Sequence, residues 1–211
     1  GLEQAGKTAF TQRLLTGKFI DTIPTFGIDV EFTEYKGMAL QIWDLGGHEA
    51  FRKNLWKNYI AQSSSLIYIF DSSNLSNLQA SVEWFWTVID WLEHKEYPIL
   101  FLANKWDDVP NNAKDERIQT IIEEFKLNKL AKTSTERSFQ FFFVSVKTGL
   151  HIDSAMTWLV DHQPIDEKFK SFESIHCFDC FVQGKGFFAH ISNIKQKRRE
   201  FKEIIHTYKD K

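Results

Sequence analysis

The sequence predicts an α/β fold: a mostly parallel sheet with helices on both faces. Three observations carry that expectation. Segments of strand character alternate with segments of helical spacing through the first 164 residues. Several of the strands are unbroken apolar runs, as in parallel strands covered on both sides. The runs that combine glycine, lysine and acidic residues fall directly after strands, at the carboxyl ends where such sheets bind ligands.

Taken in order, Lys7 to Thr16 reads as a helix that starts just behind a glycine. Ile28, Val30 and Phe32 alternate with Asp29, Glu31 and Thr33, the period of a half-buried strand. Met38, Leu40 and Ile42 alternate likewise, and Lys36-Gly37 between them suits a hairpin turn. Leu66 to Phe70, Ile99 to Leu102 and Phe141 to Val144 are continuous apolar runs and read as buried strands. Val82, Phe85, Trp86 and Ile89 follow helical spacing, and Arg117 to Phe125 and Ile152 to Val160 fit amphipathic helices. Trp84, Phe85, Trp86 and Trp91 share one helix, so some of these rings face outward, as core edge or as partner surface.

Composition narrows the class. The chain has 211 residues, 43% apolar and 26% charged, which excludes a disordered, collagen-like or membrane-spanning protein. It holds no apolar run of about 18 residues. A net charge of −2 gives no reason to expect nucleic acid as a partner. Aromatics at 15% predict a large core. Cys177 and Cys180 cannot build a disulfide framework, so the compartment reads as reducing and cytoplasmic. The first residues show no charged-then-apolar leader pattern. Residues 165–211 carry a net +3 and residues 1–164 a net −5, with Pro164 at the change. Two segments follow, 1–164 and 165–211.

The first eight residues, Gly1-Leu2-Glu3-Gln4-Ala5-Gly6-Lys7-Thr8, match G-x-x-x-x-G-K-[ST]. Glycines let backbone N–H groups turn inward around phosphate oxygens, and the following helix adds its positive end. Lys7 then reaches the β- and γ-phosphates, and the Thr8 hydroxyl ligates Mg²⁺. Trp43-Asp44-Leu45-Gly46-Gly47-His48 follows the second alternating strand. There Asp44 holds Mg²⁺ through water, and the Gly47 N–H contacts a γ-phosphate, so the loop's shape depends on that phosphate. Asn104-Lys105-Trp106-Asp107 follows a buried strand and matches N-K-x-D. The Asp107 carboxylate accepts the N1 and N2 protons of guanine, a donor pair that adenine lacks. Lys105 lies on the base plane and Asn104 braces the loop. Ser145-Val146-Lys147, after the last strand, completes the base pocket. The N-K-x-D run disfavours an ATPase or kinase reading.

With these motifs in place, the chain resembles the Arf/Sar family of small GTPases, within the P-loop NTPase fold, over roughly residues 1–163. Thr22-Ile23-Pro24-Thr25-Phe26-Gly27 resembles the family's switch I, Trp43 to Gly47 its switch II, and residues 28–43 its interswitch hairpin. The resemblance implies that Thr25 closes over GTP and adds its hydroxyl to Mg²⁺. Lys7, Thr25, Gly47 and His48 then form the catalytic set, with His48 orienting the attacking water. Arf proteins usually carry Gln at that position, and the Sar branch carries His. Ile28, Trp43 and Tyr59 resemble the apolar patch that meets effectors, with Ile28 departing from the usual Phe. An exchange factor and an activating protein are implied at the same switches, together with peripheral membrane association and a role in membrane traffic or organisation. No arginine finger can be assigned, so hydrolysis of GTP to GDP is expected to be slow alone and about 10³–10⁵-fold faster with a partner. The alternative is a nucleotide-binding platform, a pseudo-GTPase with little or no hydrolysis. The intact Lys7, Thr8, Thr25, Asp44 and Asp107 argue for retained binding.

Two departures from the family pattern stand out. The phosphate loop begins at residue 1, so the chain reads as a fragment without the family's first strand and N-terminal helix, and no acylation site is assigned. Residues 165–211 lie outside the pattern. Glu173 to Val182 and Phe187 to Ser192 flank the turn Gln183-Gly184-Lys185-Gly186, and Asn193 to Tyr208 reads as a helix. This hairpin and helix resemble the opening of a longin or roadblock module. A zinc site at Cys177 and Cys180 with His176 and His190 is disfavoured, because strand residues three apart face opposite ways. Lys195, Lys197, Arg198, Arg199 and Lys202 read as a solvated helix face, with acidic lipid headgroups as the alternative contact.

Overall fold

A computed structural model of the chain describes residues 1–92, 98–133 and 138–163. The hairpin, helix, cysteines and basic cluster of residues 165–211 lie outside the described residues. Helix α1 spans Lys7–Thr16. It stops at Gly17, whose left-handed backbone (φ 73°) turns its N–H back to the Arg13 carbonyl. Strands β1 (Ile28–Tyr35) and β2 (Met38–Leu45) pair antiparallel over their full length, Ile28 opposite Leu45 and Tyr35 opposite Met38. Lys36 and Gly37 join them, both at positive φ (50° and 83°), the two-residue turn whose twist matches the strands.

Three further strands, β3 (Leu66–Asp71), β4 (Ile99–Asn104) and β5 (Phe139–Phe143), form a parallel sheet in chain order. The parallel sheet is the α/β arrangement the sequence predicted, and among the described residues the predicted hairpin β1–β2 pairs as a separate antiparallel ribbon. The alternation of β1 and β2 leaves part of the ribbon exposed, whereas β4 is buried at every position. Val144, predicted inside the last strand, follows β5 and still donates its N–H to the Ala103 carbonyl at 2.8 Å.

Helices cover both faces of the parallel sheet, and the two-residue period of the strands decides which side chain meets which. Tyr68, Phe70, Ile99, Phe101 and Ala103 belong to one core with Phe85, Val88 and Leu92, and with Ile121, Phe125 and Leu127. These come from α4 (Leu78–Trp91), α5 (Lys114–Glu124), α6 (Leu127–Thr133) and the residues adjoining them. Ile69, Leu100 and Leu102 point the other way, to Ala5, Ala9 and Phe10 and to Ala155, Met156 and Leu159 of α7 (Ile152–Asp161). Of the α4 aromatics, Phe85 is fully buried, while Trp84, Trp86 and Trp91 are half-buried at the edge of that core. Residues 49–60 add an element the sequence reading did not place. It comprises a short α2 (Glu49–Phe51), a π turn (Arg52–Trp56) and a short α3 (Lys57–Ile60). Among the described residues no helix is long and apolar enough to cross a membrane.

Candidate nucleotide site

Residues 1–8 wrap the N-terminal end of α1. Gln4 and Gly6 both take left-handed backbone (φ 59° and 93°), and α1 begins without a side-chain cap. Its first-turn N–H groups, which have no intrahelical acceptor, are thus left open to an anion. Gly6 is required there, since a Cβ would stand 2.4 Å from Asn104 Nδ2. Lys7 donates from Nζ to the Leu2 carbonyl at 2.8 Å. Burial of the ammonium pushes its pKa down to about 8, against the upward pull of Asp44 and Glu3. A cation held this way lacks a full complement of partners and is left with donors for a further acceptor.

Three oxygen side chains converge beside it. Thr8 Oγ1 lies 2.5 Å from Thr25 Oγ1 and 2.5 Å from Asp44 Oδ2, and Thr25 Oγ1 lies 3.1 Å from the same carboxylate oxygen. Thr25 comes from a loop 17 residues beyond Thr8, and Asp44 is buried near the end of β2. Two hydroxyl protons cannot serve three such contacts. Two hydroxyls with the Asp44 carboxylate beside them make an all-oxygen set that suits a small hard cation such as Mg²⁺. The loop carrying Thr25 is tied to the one after β2: the Gly46 N–H donates to the Gly27 carbonyl at 2.8 Å. Gly47 packs so tightly that a Cβ would fall 2.5 Å from the Glu3 nitrogen and 2.7 Å from Lys7 Nζ. Only glycine brings this backbone to the phosphate loop.

The second half of the site forms at the ends of β4 and β5. Asn104 is buried and bridges three segments. Its Nδ2 donates to the Ala5 carbonyl at 2.9 Å, and its Oδ1 accepts the Val146 N–H at 3.0 Å. Lys105, in left-handed backbone (φ 61°), pairs its Nζ with Asp71 Oδ2 at 2.6 Å. Asp107 Oδ2 stands 3.9 Å from Lys147 Nζ, beyond hydrogen-bonding distance, so its carboxylate keeps lone pairs for a ligand. Ser145 is buried and accepts the Thr148 N–H at 3.0 Å, which shapes the Ser145-Val146-Lys147 turn.

His48 lies at the start of α2. Its Nδ1 accepts the Ala50 N–H at 3.4 Å, and its Nε2 is 4.0 Å from Glu3 Oε1. Trp43 and Tyr59 meet edge-on at 5.4 Å and are half-buried, as is Ile28 at the head of β1. Phe26, 91% exposed, packs its ring edge-on against Phe51 at 5.0 Å.

Two residues and one side-chain contact escaped the sequence reading. Arg13, two turns into α1, donates to the Val146 and Lys147 carbonyls at 2.8 and 3.2 Å and so holds the base-side turn. Asp71 neutralises Lys105. The Glu3 side chain faces His48. Only Asp71 had a local signal, as a carboxylate ending a buried apolar run.

A sequence model of the ADP-ribosylation factor family matches residues 1–163. The chain is 34% identical over 163 residues to ADP-ribosylation factor-like protein 1 of Caenorhabditis elegans, covering 76% of this chain and 84% of that protein. It is 31% identical over 159 residues to ADP-ribosylation factor 1 of Brassica rapa subsp. pekinensis, covering 75% and 82%. Among solved structures it resembles the Arl6 BBS3 small GTPase from Trypanosoma brucei with the bound nucleotide analogue GppNp. The TM-score is 0.57 and the identity 25%, over 76% of this chain and 92% of that one.

Proposed function

Because this chain belongs to the ADP-ribosylation factor (Arf) family of GTP-binding switches, we propose that the site just described binds GTP with Mg²⁺, closes Thr25 over it and hydrolyses it slowly to GDP. The observation that carries this reading is the convergence of Thr8, Thr25 and Asp44, which ties the switch I loop to the phosphate loop. Bound Mg²⁺ supplies the positive charge that offsets the β- and γ-phosphates. Thr8 and Thr25 would hold it through their hydroxyls and Asp44 through water. Lys7 directs its ammonium to the phosphate oxygens, and the Gly47 N–H contacts the γ-phosphate. His48 orients the attacking water. Asp107 accepts the two guanine N–H groups and selects against adenine. Lys105 and the Ser145-Val146-Lys147 turn enclose the base.

Effector, exchange factor and activating protein meet the switches and the patch of Ile28, Trp43 and Tyr59, in a role in membrane traffic or organisation with peripheral membrane attachment. A second reading, the nucleotide-binding platform with little hydrolysis, draws on one observation: the His48 side chain is 65% exposed. Single-turnover hydrolysis by the GTP-loaded chain separates the two. His48→Ala should slow phosphate release by about 10² or more. A wild-type rate in that variant refutes the role of His48 and favours the platform.

A further inference from the structure

We propose that Glu3 is a positioning residue for His48, holding its ring and the attacking water in one orientation; this rests on hydrolysis at the site proposed above. The Glu3 backbone is fixed on both sides. Leu2, before it, is buried and has its carbonyl bonded to Lys7, and Gly47 packs against the Glu3 nitrogen. That close approach of Gly47 carries the next residue, His48, over the Glu3 side chain. The His48 ring is then oriented from two ends. Nδ1 accepts the Ala50 N–H, so the neutral ring carries its proton on Nε2. Nε2 is the nitrogen that faces Glu3 Oε1, at 4.0 Å.

An ionised carboxylate only accepts, so Glu3 favours that same tautomer. The separation is too long for a direct hydrogen bond and suits one bridging water. Such a water accepts from Nε2–H and donates one proton to Oε1, which leaves a lone pair with a fixed direction. Neither group does this alone: a free ring swings, and an unpaired water turns. Both side chains are more than half exposed, at 65% for His48 and 56% for Glu3, so the pair adds little to stability and its worth is in orientation.

The test uses the full chain loaded with GTP and read in single turnover, so that nucleotide affinity does not enter. Glu3→Gln should slow hydrolysis by roughly tenfold to a hundredfold. In a His48→Ala background it should slow it no further. Glu3→Asp, which keeps the charge, should recover part of the rate. ¹³C relaxation of the His48 ring, assigned by its loss in His48→Ala, should show an ordered ring in the wild type and a more mobile one in Glu3→Gln, while the Ala50 N–H keeps the Nε2–H tautomer in both. Equal slowing in both backgrounds overturns the proposal, since Glu3 then acts through Lys7 or the loop. An equally ordered ring in Glu3→Gln overturns it as well. If His48→Ala itself hydrolyses at the wild-type rate, hydrolysis through His48 fails and the positioning role fails with it; that result is read in a different variant and so is distinguishable from the other two.

Discussion

Replacing Lys7 by methionine should make the nucleotide-free chain more stable while abolishing GTP binding. The two effects have opposite signs because one buried charge produces both. Methionine keeps the length and volume of the lysine stem and removes the ammonium. In the folded chain that ammonium has its pKa lowered from 10.5 to about 8, first by burial, with Asp44 and Glu3 opposing. Below a pH of about 8 lysine is charged in both folded and unfolded chains, and the whole burial penalty is present. Between about 8 and 10.5 the unfolded chain binds more protons than the folded one, so stability rises with pH. The lowering corresponds to a penalty of about 3 kcal/mol near neutrality, about 2 kcal/mol near pH 9 and under about 1 kcal/mol near pH 10. The stability advantage of Lys7→Met should shrink along that series. Urea denaturation of both proteins at the three pH values measures it, and subtracting one protein from the other removes every other titrating group. Titration with a fluorescent GTP analogue gives the affinity. A gap that is flat with pH would refute the buried-ammonium argument. Tight GTP binding by the variant would refute the phosphate role of Lys7.

The base side of the site yields two further expectations. Asp107→Asn gives up two charge-assisted hydrogen bonds to guanine, about 3–6 kcal/mol together, so GTP affinity should fall at least a hundredfold. Competition binding against ATP checks this: retained GTP affinity, or displacement of GTP from the wild type by ATP, refutes the guanine assignment. Asn104→Ala strands the buried Ala5 carbonyl and Val146 N–H and should cost about 2–4 kcal/mol in denaturant unfolding, with faster nucleotide release. A loss below about 0.5 kcal/mol would show that water replaces the amide.

Much of this was readable from local pattern, for physical reasons visible at particular residues. Helix α1 begins and ends at glycines with left-handed backbone, so Lys7 and Thr16 bound it in sequence and structure alike. The apolar runs of β3 and β4 are unbroken because both of their faces are covered. The segment 49–60 escaped because a π turn interrupts it. Wider winding breaks the three- and four-residue spacing by which apolar residues announce a helix. The division into two sheets escaped because strand pairing is a long-range choice that no strand announces alone. The same holds within the site. Arg13 and the Val146 carbonyl lie 133 residues apart in the chain, and no spacing rule links them. Glu3 was read through its backbone, as part of a phosphate cradle, and what its side chain faces depends on where the loop of His48 returns.

The Asn104 amide has a kinetic consequence. It is one planar group with its two ends on two loops, one at Ala5 and one at Val146, the proposed phosphate and base sides. Neither loop can move far while the other holds this side chain still, so the two ends of a bound nucleotide are mechanically in series. In the site as proposed, nucleotide departure is expected to be a single event with one rate, which stopped-flow release of a fluorescent GDP analogue reads directly. A partner that pries open either end loosens the other at no further cost, and needs to grip only one side of the pocket to empty all of it.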